Sequence, residues 1–194
     1  MIATRAKMDE ATYLEQERRS DTKHEFINGE ILAMSGASAR HNVIAANILS
    51  SLSVLLRSRP CIVYGPDQRI HIPSTGAYCY PDVSVACGRQ QMHTRDADSL
   101  TNPVLLVEVL SDSTEAYDRG AKFADYRNIP SLEEYLLVSQ LEERIEHFHR
   151  LPTGQWILTV AQGKEAVLEL PALSAALALH EVYAKLDLLP DPAQ

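Results

Sequence analysis

Positive charge is scarce in this chain: 18 lysines and arginines stand against 26 aspartates and glutamates, a formal net charge of −8 over 194 residues. This argues against an extended basic surface gripping nucleic acid without regard to sequence, and no dense Lys/Arg run supplies one locally. Any phosphate contacts must come from scattered residues or from metal ions. Cysteine is scarce too. Cys61, Cys79 and Cys87 are too few and wrongly spaced for a disulfide framework or a zinc knuckle, so reduced, partly buried thiols are expected. Uncharged stretches fall short of the ~20 apolar residues of a membrane span, and no basic segment followed by an apolar one opens the chain. The expectation is a soluble, cytoplasmic protein with no membrane partner. Also missing are an internal repeat, a phosphate-cradling glycine loop, a nucleophile elbow and a His-Glu-x-x-His motif, which leaves nucleotide-driven and zinc-peptidase chemistry without support.

What is present suits one domain spanning 1–194, since 45% hydrophobic residues can fill a substantial core. A helix is predicted over about 8–17 with Tyr13 and Leu14 inward, then a hairpin of 24–27 and 30–34 around Asn28-Gly29. Residues 35–39 form a small polar connection, and apolar spacing predicts a long helix over 41–57 with His41 at its entrance. Strands at 61–64, 68–72 and 80–86 suggest a mixed, strongly bent sheet. Residues 88–102 read as a mobile flap or a loosely ordered surface loop. Further strands are predicted at 134–138, 144–150, 156–160 and 166–170, the last ones as an antiparallel meander, followed by a closing helix over 179–186 and a frayed tail at 190–194. His147 and His149 share a strand face, but with no third ligand nearby in sequence they read as exposed histidines.

Tyr80 to Tyr126 carries the chemistry. Asp82 is the only charge in its strand-like run, and Glu108 sits inside the almost continuously apolar stretch 103–110. Desolvating an unpartnered carboxylate costs several kcal/mol, so Glu108 should face a cation, a metal or a donor. On the helix predicted over 117–128, Asp118, Lys122 and Tyr126 recur every four residues and project from one face, with Lys122 able to reach back to the strand. Two carboxylates and a lysine at a sheet end form a kit for phosphodiester hydrolysis with Mg²⁺ or Mn²⁺. Lys122 would then serve the attacking water or the transition state, and Asp118 and Tyr126 would position it through local hydrogen bonds.

Pro81-Asp82, Val107-Glu108-Val109-Leu110-Ser111, Asp118 with Lys122 and Tyr126, Glu134-Tyr135, and upstream Glu25-Phe26-Ile27-Asn28-Gly29-Glu30 and His41 together resemble the Uma2 family of the PD-(D/E)xK nuclease superfamily. The resemblance covers about 8–185. It implies an α/β (α+β) restriction-endonuclease-like fold, a mixed β-sheet flanked by helices, and an endonuclease acting on DNA. It also implies a metal held by Asp82, Glu108 and the Val109 carbonyl, with Glu25, Glu30 and His41 in support. The superfamily's usual lysine position, two residues after the glutamate, is Leu110 here, so the role passes to Lys122. Competing readings are a catalytically idle module of the same fold that binds nucleic acid or protein, and a hydrolase of smaller phosphate esters. A purely structural reading has Asp82, Glu108 and Lys122 all touching in a closed salt-bridge network. A two-fold homodimer is a further expectation.

Overall fold

The computed structural model describes residues 7–34 and 36–190; the tail expected beyond residue 190 and Ser35 of the 35–39 connection lie outside them. Helix α1 (Glu10–Glu17) starts where the Asp9 carboxylate accepts the Thr12 N–H at 2.8 Å, and it buries Tyr13 and Leu14. Strands β1 (His24–Ile27) and β2 (Glu30–Ala33) pair through a turn in which Asn28 and Gly29 adopt φ of 52° and 82°. Those positive angles are what a two-residue hairpin turn requires, and Asn-Gly tolerates them. Helix α2 (Ala39–Leu55) begins at Ser38, whose hydroxyl accepts the His41 N–H, and buries Ile44, Ile48 and Leu52.

The strands that follow are β3 (Cys61–Tyr64), β4 (Arg69–Ile72), β5 (Ala77–Cys79), β6 (Val83–Cys87), β7 (Met92–His93), β8 (Asp96–Leu100) and β9 (Leu105–Val109). A helical segment comes next: α3 (Glu115–Tyr117), a π-helical turn at Asp118–Lys122, and α4 (Phe123–Tyr126). Then come β10 (Glu134–Val138), β11 (Arg144–Arg150), β12 (Trp156–Gln162), β13 (Val167–Leu170), β14 (Ala175–Ala178) and α5 (Leu179–Val182).

In place of one bent sheet there are two, each of six strands: β2-β1-β5-β4-β8-β7 and β12-β11-β10-β9-β6-β3, with β13-β14 as a separate pair. The fold is mixed α/β. Within the second sheet β9 and β10 run parallel and the other pairs antiparallel. One face of this sheet, with Val83, Val85, Leu105, Val107, Leu136 and Ile145, packs on α2, β13-β14 and α5. Its other face, with Leu106, Tyr135 and Leu137, packs on α4 and on Ile70, Ile72, Ala77 and Cys79 of the first sheet.

Several expectations need correction. The strand expected over 80–86 starts only at Val83, as β6 of the second sheet; β5 of the first sheet ends at Cys79, and Asp82 stands at the crossing between them. Pro81 has no N–H to give to a ladder and marks the break. Residues 88–102 are neither flap nor loose loop, because β7 and β8 complete the first sheet, with Asp96 buried against Arg69 at 2.5 Å. The meander ends at β12, since β13 leaves to pair with β14, and the closing helix shrinks to the single turn of α5. Cys61 and Cys87 lie opposite each other in the β3-β6 ladder and are joined as a disulfide, leaving Cys79 free and buried. Sequence spacing alone hid that cross-strand pairing. Among the described residues no helix is long and apolar enough to cross a membrane.

Candidate active site

Alternation along β9 sends Glu108 to the same face as Leu106 and Leu110, toward the first sheet and the helical segment. It is buried, and its partners come from that side. The Lys122 ammonium lies 2.8 Å from Glu108 Oε1, 2.9 Å from Glu25 Oε1 and 3.6 Å from Asp118 Oδ1. Tyr126 donates its hydroxyl proton to Glu108 Oε1 at 2.9 Å, so it orients the glutamate and not, as expected, the lysine. Glu25 also accepts the Tyr80 N–H at 3.2 Å and the Tyr117 hydroxyl at 3.4 Å. The π-helical turn carries both Asp118 and Lys122; such one-turn insertions recur at functional sites.

Asp82 takes a different set of partners. Its Oδ2 accepts the Val109 N–H at 2.7 Å and lies 3.2 Å from His41 Nε2. The closed network of the structural reading therefore does not form: Lys122 touches Glu108 but Asp82 is held by His41 and the backbone of β9. Of the residues singled out in the sequence, Glu25, His41, Asp82, Glu108, Val109, Asp118, Lys122 and Tyr126 are brought together through these contacts. Glu30 is not. It sits exposed opposite Ile27 beside the hairpin turn. Tyr117 and Tyr80 were missed; as an aromatic and a backbone donor they carry no charge pattern to betray them.

Glu25, Asp82, Glu108 and Asp118 set four carboxylates against one ammonium, leaving three negative charges in excess if all ionise. The consequences are consistent. Burial pushes the Glu108 carboxyl well above its ordinary range; Lys122 opposes the rise, while Asp118, Asp82 and Glu25 add to it. Asp118 is raised for the same leading reason. Burial acts to discharge Lys122, yet Glu108, Glu25 and Asp118 outweigh it and hold the ammonium protonated. His41 is likewise raised: burial opposes, but Asp82 and the Val109 backbone prevail. Hard carboxylate oxygens with uncompensated charge are the donor chemistry of Mg²⁺ and Mn²⁺, so the residues present fit such an ion.

The site opens into a cleft of about 1070 Å³. Ten acidic residues line it against four basic ones, Lys23, Arg119, Lys122 and Arg144. Each of those cations is already paired: Lys23 with Asp67, Arg119 with Glu115 and Glu146, Arg144 with Glu142 and Glu146.

A family model described as "Uma2: Putative restriction endonuclease" matches residues 10–180. The chain belongs to the Uma2 family. Two relatives from Synechocystis, both named as uncharacterized proteins, are each 37% identical: sll1609 over 87% of this chain and 96% of its own length, and slr1290 over 91% and 92%. A solved structure from Anabaena variabilis, titled as a putative nuclease belonging to DUF820, superposes with a TM-score of 0.70 at 15% identity. It covers 85% of this chain and 92% of that one, a likeness of fold.

Proposed function

We propose that this Uma2 protein is a metal-dependent endonuclease that hydrolyses DNA phosphodiester bonds in the cleft above Glu108. The observation that carries the reading is a buried ammonium ringed by three carboxylates, with a fourth, Asp82, anchored on the adjoining backbone. Asp82, Glu108 and the Val109 carbonyl would hold Mg²⁺ or Mn²⁺. When bound, the ion polarises the phosphate and lowers the pKa of a coordinated water.

The chain's own groups do the rest. Lys122 presents a proton-bearing ammonium to the attacking water or to the charge that develops on the phosphate. Glu25 and Asp118 fix that ammonium in place, Tyr126 fixes Glu108, and His41 fixes Asp82. A two-fold homodimer would let two such sites address two strands.

The test is incubation with plasmid, linear and single-stranded DNA in Mg²⁺ or Mn²⁺. Wild type should cut, and Asp82→Ala and Glu108→Ala should lose at least a hundredfold in rate while staying folded. Retained cleavage in either variant would refute the assignment. One observation favours a second reading, a hydrolase of smaller phosphate esters: the cleft's cations are engaged by acids, which suits a small substrate better than duplex DNA. Turnover of a phosphodiester of nucleotide size, with no cleavage of any DNA, would select it.

A further inference from the structure

The opposite face of the second sheet gathers another set of ligand-type side chains. His147 and His149 lie two apart on β11 and so share a face, and Glu134 on β10 is the direct cross-strand partner of His149. Glu134 Oε1 lies 3.8 Å from His147 Nε2 and 3.8 Å from His149 Nδ1, and one ligand atom of each residue falls within 4.8 Å of the other two. This face also bears Leu136 and Ile145 and packs on α2 and the C-terminal elements, whereas Glu108 looks the other way. The third ligand missing from the sequence reading comes from a neighbouring strand.

We propose that Glu134, His147 and His149 form a second metal site, for a borderline transition ion of the Zn²⁺ class. Three observations support it. Glu134 is fully buried and His147 is 3% exposed, yet Glu134 Oε2, His147 Nε2 and His149 Nδ1 have no hydrogen-bond partner among the described residues. Buried polar atoms in native proteins are nearly always partnered, so three on one spot call for a ligand. The spacing is near what an ion needs: ligands 2.0–2.1 Å from a tetrahedral Zn²⁺ sit roughly 3.3 Å apart, about half an ångström inside the two 3.8 Å carboxylate–imidazole separations. The mix of imidazole and carboxylate selects Zn²⁺, Co²⁺ or Ni²⁺ over Mg²⁺.

The surroundings agree with a site rather than a packing defect. Glu134 Oε1 accepts the Ala172 N–H at 3.0 Å, which holds the carboxylate and ties β10 to the turn after β13. The His149 side chain is 24% exposed and gives an ion its way in. A comparable triad of Glu10, His71 and His93 differs in its carboxylate, because Glu10 already accepts from Tyr78 at 2.6 Å and pairs with the Arg95 cation at 3.0 Å.

The experiment is calorimetric titration of ZnCl₂ into wild type, Asp82→Ala, Glu134→Gln and His149→Gln, with far-UV circular dichroism to verify folding. Wild type and Asp82→Ala should take up one Zn²⁺ at this site with equal affinity, and the other two variants should bind it at least a hundredfold more weakly. Wild type loaded with Co²⁺ should show the visible absorption of a nitrogen- and oxygen-ligated ion, which reads ligation even if a variant fails to fold. No Zn²⁺ uptake by wild type at micromolar metal would overturn the proposal. So would uptake lost in Asp82→Ala, or uptake unchanged in His149→Gln.

Discussion

An ammonium lying 2.8 to 3.6 Å from three carboxylates, all of them buried, is costly to disturb because removing it leaves unopposed charges in a poorly solvated place. Lys122→Met is expected to lower unfolding stability by roughly 3–5 kcal/mol, measured by urea denaturation without metal. Tyr126→Phe removes one donor from buried Glu108 and should cost about 1–3 kcal/mol. Glu30→Ala, on an exposed turn, should stay within about 0.5 kcal/mol of wild type and cut DNA at an unchanged rate. Equal losses for Lys122→Met and Glu30→Ala would contradict this division of roles. Asp82 and Glu108 were legible in the sequence because each is a lone charge in an apolar run, and Lys122 because it shares one helix face with Asp118 and Tyr126. Glu25 and Glu30 were not separable there. They flank one turn, and only the register, Glu25 opposite Leu32 and Glu30 opposite Ile27, leaves one under Tyr80 and the other in solvent.

At the scale of elements, the hairpin, α1, α2 and the apolar strands β9 and β10 follow from spacing that needs no tertiary information. The elements that were missed depend on distant partners. β7 and β8 read as a loop because Asp96 and Ser99 look like surface residues until Arg69, on β4, is placed against them. The missed disulfide likewise depends on distant pairing, of Cys61 on β3 with Cys87 on β6 across 26 positions. Closing a loop of that length is worth about 3 kcal/mol, so Cys61→Ser with Cys87→Ser should lower the melting temperature measurably, and reductant should reproduce the shift in wild type only. An equal response of the double variant to reductant would contradict it.

His71 on β4 provides a pH signature. Burial lowers its imidazole to about 4, with His93 adding to the effect. An imidazole depressed in the folded state contributes stability that is present above its unfolded value near 6.5 and is lost as pH falls toward 4. The full span corresponds to at most about 3 kcal/mol, and His71→Asn should flatten that acid limb in denaturant titrations. An unchanged limb would assign acid sensitivity to other groups.

For the molecule as a whole, charge decides what can reach the site. A chain of net charge −8 with an acidic cleft should hold DNA poorly when metal is chelated, and filter binding in excess chelator should detect little. A divalent ion held there would cut the excess negative charge where the four carboxylates converge from three to one, easing the approach of a phosphate. The most direct measurement is therefore calorimetric titration of Mn²⁺ and Mg²⁺ into wild type and Asp82→Asn, each also carrying His149→Gln so that only the acidic site is read. Uptake by the Asp82 protein, weakened at least tenfold in Asp82→Asn, is the expected result. Equal uptake by both proteins, or none at millimolar metal, would contradict a metal-dependent nuclease centre at Asp82, Glu108 and Lys122.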